Sequence, residues 1–137
     1  MWIDRCLDAA RSGPTHLGRT EVARLVKEAI ERGDKDLRHY ELDAFVVMPN
    51  HVHLLATPRI APSRFLKSLK GFTAREANKI LMRTGEPFWQ HESYDHWVRN
   101  GAELAKIRSY IEQNPVKAGL VNQPQDFPWS SAALASE

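Results

Sequence analysis

Residues 40–57, YELDAFVVMPNHVHLLAT, carry the pattern from which the fold can be predicted. Residues 40–48 are rich in apolar and β-branched side chains, which favours a β-strand. Pro49 and Asn50 form a turn signal, and residues 51–57 read as a second strand. Because so short a turn separates the two strands, we predict that they pair as an antiparallel hairpin.

The second strand of this hairpin begins with His51-Val52-His53. Alternate residues of a strand project to the same face, so the two imidazoles lie side by side. Such a pair suits two ligands of one divalent metal ion. The alternative is a pair of half-buried histidines that hydrogen-bond to the backbone. The apolar residues that follow favour the metal, because burying two imidazoles without a shared task is costly.

The rest of the chain contains helical and strand-like segments around this hairpin. Residues 1–11 are predicted as a short helix, and Thr20 as the N-cap of a helix over residues 21–32 that Gly33 stops. Further along are a helix from Pro62-Ser63 to Arg83, a strand-like segment from Phe88 to Val98, a helix from Ala102 to Asn114, and a tail at residues 127–129 expected to pack back on the body.

The composition is that of an ordinary globular protein. The chain has 137 residues, 42% of them hydrophobic and 26% charged, which predicts a single domain over residues 1–137. No apolar run approaches the roughly 20 residues that span a bilayer. The N-terminus alternates charged and apolar residues, unlike a signal peptide. The single cysteine, Cys6, is expected to be a small buried filler. We therefore expect a cytoplasmic protein.

Positive charge is concentrated in residues 59–83, which contain seven lysines and arginines and one glutamate. On a helical projection, most of these charges lie opposite the apolar side chains. Arg64, Lys67 and Arg75 are examples, whereas Lys70 departs from this division. The pattern indicates either a solvated helix face or a surface that binds phosphates.

A second candidate site for chemistry is the segment Tyr110-Ile111-Glu112-Gln113-Asn114-Pro115. Tyr110 and Asn114 are four residues apart, which places them on one face of a helix. A phenol can act as a nucleophile and an amide oxygen can bind a hard metal ion. The alternatives are a core aromatic at Tyr110 and a helix-ending cap at Asn114-Pro115. Tyr40 and Tyr94 are rival nucleophiles, but neither has a ligand-type residue one helical turn on.

The two motifs together resemble a known family. Met48-Pro49-Asn50-His51-Val52-His53, followed by Tyr110-Ile111-x-x-Asn114-Pro115-Val116-Lys117-Ala118-Gly119-Leu120, is similar to the signature of the REP-associated tyrosine transposases of bacteria. These proteins are relatives of the single-tyrosine HUH transposases of insertion sequences. Residues 68–78 and 88–99 resemble the middle segments of the same family, so the resemblance covers roughly residues 40–130.

The resemblance implies an enzyme that cleaves single-stranded DNA and transfers strands near hairpins of the REP type. It implies that His51, His53 and Asn114 bind Mg²⁺ or Mn²⁺. Tyr110 would attack the scissile phosphate and leave a 5′-phosphotyrosine link and a free 3′-OH. The expected DNA-binding residues are Arg64, Lys67, Lys70, Arg75 and Lys117, and Trp89, Tyr94 and Trp97 are candidates to stack on unpaired bases.

The fold implied by the resemblance is α+β, a ferredoxin-like antiparallel sheet with helices on one face. In that family a strand precedes the first helix. Residues 2–7 look like the family's early helical region, so we expect the first strand to be missing from this chain. An unfilled strand position would expose backbone groups and favour instability or pairing with another chain.

Two other functions stay open at this point. One is a non-catalytic relative that binds DNA hairpins and no longer cleaves them. The other is a metal hydrolase of small substrates that uses the histidine pair, which is disfavoured because no Asp or Glu stands at an evident third-ligand position. His91 and His96 lie in an aromatic segment and could approach the same site. Both a monomer and a homodimer are compatible with the sequence.

Overall fold

Four antiparallel strands form one sheet in the computed structural model, which describes residues 1–9, 16–90 and 94–135. The strands are β1 (Trp2–Asp8), β2 (Tyr40–Met48), β3 (His51–Pro58) and β4 (Tyr94–Val98), and their spatial order is β2-β3-β1-β4. The predicted hairpin is confirmed, since Met48 pairs with His51 across a two-residue turn. The α+β class with an antiparallel sheet is confirmed as well.

The helices are α1 (Thr20–Lys35), α2 (Pro62–Ile80), α3 (Gly101–Lys117) and the short α4 (Ser131–Ala135), with 3₁₀ turns at His16–Gly18 and Pro124–Asp126. Helix α1 begins at Thr20, one residue before the predicted start, so Arg19 and not Thr20 is its N-cap, and no side chain caps it. It runs beyond Gly33, which lies against Tyr40. A Cβ atom at Gly33 would lie 2.2 Å from the Tyr40 hydroxyl oxygen. Gly33 is therefore required for this close approach and does not stop the helix.

The N-terminal segment was wrongly predicted as a helix, because residues 2–8 form strand β1 in the interior of the sheet. The expectation of a missing first strand is therefore also wrong. Ile3 and Leu7 are both buried and are four residues apart. That spacing keeps two residues on one side of a helix and equally on one side of a strand, so it does not distinguish them. Pairing with both β3 and β4 decides for the strand.

Helices cover both faces of the sheet, which corrects the expectation that they lie on one face. On the first side, the α1/α2 face, Val52 and Leu54 pack with Phe65 and other residues of α1 and α2. On the second side, the α3 face, Leu55 packs with Ile111 of α3. Because successive residues of β3 alternate between the faces and both sets include apolar side chains, each face needs a cover.

The C-terminal part of the chain differs from the prediction in two places. Helix α3 does not end at Asn114 but continues through Pro115 to Lys117. Pro115 has no N–H to donate to the Ile111 carbonyl, but the helix continues past it, and the Ala118 N–H donates to the Asn114 carbonyl (3.0 Å). Of the segment 88–98, only residues 94–98 are a strand, and residues 91–93 lie outside the described part.

The end of α2 and the C-terminal tail can also be compared with the prediction. Helix α2 ends at Ile80, three residues before the predicted end at Arg83. The tail packs back on the body, as predicted. The Val47 N–H donates to the Trp129 carbonyl (2.8 Å), and Phe127 is buried in the core of the α3 face.

Candidate functional site

The histidine pair lies on the α3 face of the sheet, near the start of β3. His51 and His53 are both partly buried, while Val52 between them is fully buried on the opposite face. His51 is hydrogen-bonded through Nδ1 to the Asn50 side-chain oxygen (2.8 Å). Burial lowers the pKa of His51, an effect that the Asp8 carboxylate partly opposes. A neutral imidazole keeps a lone pair, which is the form that binds metal ions.

Helix α3 places Tyr110 next to His53. Its ring centroid lies 5.9 Å from that of His53, in an edge-to-face arrangement. The neighbouring Ile111 is fully buried against the sheet and so sets the rotation of the helix. Tyr110 itself is 53% exposed. Tyr110 thus combines a ring contact with His53 and access from solvent.

The rival tyrosines are placed differently. Tyr40 is fully buried, and its hydroxyl donates to the Ile30 carbonyl (2.5 Å). Burial raises the pKa of Tyr40, so its phenol is neither accessible nor readily ionised. The side chain of Tyr94 lies outside the described residues, although its backbone pairs with Cys6. Among the tyrosine side chains that are described, only Tyr110 can meet a large substrate.

Asn114 and Lys117 follow Tyr110 on α3. Asn114 is half-buried one turn beyond the tyrosine, and the Lys117 Nζ lies 5.2 Å from the centroid of the Tyr110 ring. Within residues 1–9, 16–90 and 94–135, no three His, Cys, Asp or Glu side chains are grouped so that they could hold a metal ion. A metal site at the histidine pair would therefore need a neutral oxygen donor, and the Asn114 amide fits that need.

Strand β1 brings carboxylates to this face that the sequence interpretation missed. Asp4 contacts His53 through Oδ1 and Nε2, and Asp8 is the register partner of His51. They were missed because residues 1–11 were assigned to a helix. The available signal was the alternation of Asp4, Cys6 and Asp8, which places all three on one side of a strand. Cys6 is half-buried, and burial raises the pKa of its thiol to about 11, which disfavours a reactive thiolate.

A second histidine–carboxylate pair lies farther along the same face. His96 of β4 contacts Glu103 in the first turn of α3. The Glu103 N–H donates to the Asn100 side chain, which caps the helix (2.8 Å). This pair ties the start of α3 to the edge of the sheet. His91, the other candidate from the aromatic segment, lies outside the described residues.

The predicted DNA-binding residues are divided between the two faces. Arg64, Lys67 and Arg75 are exposed on α2 and so lie across the sheet from Tyr110. Lys70 is half-buried, its Nζ donates to the Gln90 carbonyl (3.5 Å), and burial lowers its pKa. Lys117 is the one member of the predicted set on α3. The set as a whole therefore does not surround a single phosphate.

The candidate stacking aromatics are also divided. Trp89 is partly buried, its Nε1 donates to the Thr73 hydroxyl (2.9 Å), and its ring meets Phe88 edge-on. These contacts are typical of a core residue, so Trp89 is not available to stack on a base. Trp97 is 40% exposed on the edge strand β4 and remains accessible.

The family model described as "Transposase IS200 like" matches residues 16–114, which include the histidine pair, Tyr110 and Asn114. The chain belongs to the IS200-like transposase family. None of the helices in the described ranges is long and apolar enough to cross a membrane.

Two proteins that are similar to this chain in sequence agree with this assignment. The chain is 31% identical to the REP-associated tyrosine transposase of Escherichia coli over 116 residues, 82% of this chain and 66% of the relative. It is 37% identical to the ISDra2 transposase TnpA of Deinococcus radiodurans over 78 residues, 53% of this chain and 56% of the relative. The chain thus spans less than two thirds of the length of these relatives. The resemblance to REP-associated tyrosine transposases is confirmed.

A solved structure supports the fold. The IS200-like chain superimposes on a REP-associated tyrosine transposase bound to a REP hairpin with a TM-score of 0.70 and 24% identity, over 95% of this chain and 75% of that one. The likeness confirms the mixed α/β architecture.

Proposed function

We propose that this protein cleaves and rejoins single-stranded DNA next to hairpins through a covalent link to Tyr110. The observation that carries the proposal is the position of the Tyr110 ring, 5.9 Å from His53 on the same face of the sheet and half-exposed to solvent. Membership of a transposase family supports the reaction class. The fold neighbour solved with a REP hairpin supports DNA hairpins as the substrate class.

Tyr110 acts as the nucleophile in this proposal. Its Oη forms a bond to the scissile phosphorus, and the bond from phosphorus to the 3′-oxygen breaks. The phenol proton leaves to solvent, and the departing oxygen takes up a proton to become a free 3′-OH. The product strand stays attached as a 5′-phosphotyrosine. Attack by a DNA 3′-OH reverses the step, and because the phosphodiester energy is kept in the link, no nucleotide triphosphate is consumed.

His51, His53 and Asn114 would hold Mg²⁺ or Mn²⁺. Two imidazoles and an amide oxygen form a donor set that such ions accept, and burial lowers the pKa of His51, which favours its metal-binding neutral form. A bound divalent ion supplies charge that polarises the scissile phosphate. The chain's own part is to hold these donors beside the Tyr110 phenol and to leave one side open to the DNA strand.

The basic residues serve two regions of the DNA. Lys117 stands beside Tyr110 and can contact the backbone next to the scissile phosphate. Arg64, Lys67 and Arg75 lie on the far side of the sheet, where they can bind a separate part of the molecule such as a hairpin stem. The proposal thus assigns cleavage and stem binding to different faces.

The test is covalent capture of a hairpin-bearing single strand labelled at its 3′ end. With Mn²⁺, the wild-type protein should carry the label through denaturing electrophoresis. Tyr110→Phe should lower adduct formation by at least about 1,000-fold, because the nucleophile is removed. Tyr94→Phe is the matched control and should keep the adduct.

Four results would contradict the proposal. An adduct with Tyr110→Phe, or its loss with Tyr94→Phe, would move the nucleophile elsewhere. Hairpin binding in EDTA with no adduct on adding metal would identify a non-catalytic hairpin-binding relative. Turnover of a small ester that DNA does not affect would favour a small-substrate hydrolase.

A further inference from the structure

Asp4 is a buried carboxylate with a specific partner. It lies on the interior strand β1 and is only 7% exposed. Its Oδ1 contacts the Nε2 of His53, and both side chains of the pair are almost fully enclosed. Burial of a carboxylate is costly unless a hydrogen-bonding partner compensates for it. His53 is therefore the partner that compensates for the burial of Asp4.

The strand register explains how Asp4 reaches His53. Cys6 is the direct partner of His53, and Asp4 pairs with Leu55 two residues along. Asp4 and His53 are therefore diagonal neighbours on the α3 face, within reach of one another's side chains.

The neighbouring histidine on β4 does not compete for this carboxylate. His96 is the register partner of Asp4, but its ring contacts Glu103. That pair is far more exposed, with side-chain accessibilities of 41% and 35% against 12% and 10% for His53 and Asp4. The two histidines thus have separate carboxylate partners, and the buried one lies beside Tyr110.

We propose that Asp4 is the positioning residue of the histidine pair: it accepts the Nε2–H hydrogen bond of His53 and thereby holds the lone pair on Nδ1, where it is free to bind a divalent cation. A neutral imidazole carries one proton, so fixing it on one nitrogen exposes the other as a ligand. A carboxylate that accepts from the non-ligating nitrogen also fixes the ring orientation and raises its basicity. This inference rests on the proposed metal-binding role of His51 and His53.

As a positioning residue, Asp4 does not itself contact the DNA. It acts through His53 alone, so its loss should weaken cation binding and leave the phenol of Tyr110 in place. Loss of such a carboxylate costs about 10- to 100-fold in metal affinity. Asp4→Asn retains an acceptor oxygen of the same shape and should recover part of this loss.

The first measurement is ¹⁵N NMR of the histidine side chains in the metal-free protein, at a pH about one unit above the usual imidazole pKa. Wild-type His53 should carry its proton on Nε2. Wild-type His53 protonated on Nδ1 would overturn the proposal without any variant. Asp4→Ala should lose the preference for Nε2–H, and Asp4→Asn should keep it.

The second measurement is the Kd for Mn²⁺, which requires no DNA. We expect Asp4→Ala to bind Mn²⁺ about 10- to 100-fold more weakly than wild type, with Asp4→Asn in between. Cys6→Ala is the matched control, because Cys6 lies on the same face of the same strand and is the register partner of His53. An unchanged Kd in folded Asp4→Ala, or an equal loss in Cys6→Ala, would overturn the proposal.

These results are distinguishable from failure of the proposed function. If wild type forms no DNA adduct, strand cleavage is contradicted, while the proton position on His53 still decides the role of Asp4. If wild type forms the adduct and Asp4→Ala keeps both the Nε2–H proton and the Mn²⁺ affinity, only the role of Asp4 is contradicted.

Discussion

The two faces of the sheet differ in how completely their helices cover them. On the α1/α2 face, Val52 and Leu54 are fully buried beneath residues such as Phe65, and the exposed charges of this side lie on the outer surfaces of α1 and α2. On the α3 face, Leu55 and Ile111 form a small apolar cluster, but His53 and the half-exposed Tyr110 lie beside it. One face is closed and apolar, and the other is partly open and polar.

Under the proposed function, strand β3 contributes to both stability and chemistry. The alternation of β3 sends Val52 into the closed core and His51 and His53 to the open face. A large substrate can reach the half-exposed Tyr110 on the α3 face, whereas it cannot enter a core sealed by two helices. Chemistry and stability should therefore be separable by mutation, and the following predictions test that separation.

The largest effect is expected from the double substitution His51→Ala/His53→Ala. Adduct formation should fall by at least about 1,000-fold, because the charge stabilisation at the phosphate is lost. Hairpin affinity should stay within about twofold, since the basic residues of α2 lie on the other face. Denaturing gels and fluorescence anisotropy measure the two quantities.

Val52→Ala provides the control for this pair, because it lies between the histidines and points to the closed face. It should cost about 2 kcal/mol in the free energy of unfolding and leave the adduct yield of the folded protein unchanged. If Val52→Ala abolished the adduct in folded protein, or the histidine variant kept it, chemistry and stability would not be assigned to separate faces of the sheet.

A smaller effect is expected from Arg64→Ala/Lys67→Ala on α2. Hairpin affinity should fall roughly 10-fold, or about 1.4 kcal/mol. The slope of log Kd against log salt should decrease by about 0.9 per phosphate contact, so by about 1.8 for both. At saturating DNA the adduct rate should be unchanged.

The matched control is Arg24→Ala/Lys35→Ala, which removes two exposed charges from α1. It should leave the salt slope near the wild-type value. Equal losses in both variants would show that α2 has no special role, and a slower adduct rate at saturating DNA would place Arg64 or Lys67 at the site of chemistry.

The smallest effect is expected from Met82→Gly, just after α2. Met82 has a φ of 57°, and the following Arg83 N–H donates to the Asn78 carbonyl (2.8 Å), a helix end that favours glycine. Relief of this conformation should stabilise the protein by about 1 kcal/mol, raising Tm by about 3 °C. Adduct yield should not change, because the site is on the other face.

Met82→Ala separates the two causes of any change at this position. It removes the exposed side chain but keeps a Cβ at positive φ, so it should give no stabilisation. A Tm increase as large as that of glycine would attribute the effect to the side chain, and the backbone explanation would fail.

Local patterns predicted the parts of the fold that depend on near neighbours in the chain. The bounds of β2 and β3 and the shared face of His51 and His53 follow from alternation and a two-residue turn. The buried and exposed sides of α2 follow from helical spacing. β1 was missed because the four-residue spacing of Ile3 and Leu7 suits a helix and a strand alike, and only the alternation of Asp4, Cys6 and Asp8 favoured a strand.

Local periodicity is enough to place the two histidines of β3 on one face, and Tyr110 of α3 on one face with Asn114 one turn on. Which elements lie against each other depends on the tertiary structure. The Asp4–His53 contact spans 49 residues and depends on β1 lying next to β3. The approach of Tyr110 depends on Ile111 packing against the sheet. Periodicity acts within a few residues, whereas strand order and helix placement minimise exposed backbone and apolar surface over the whole chain.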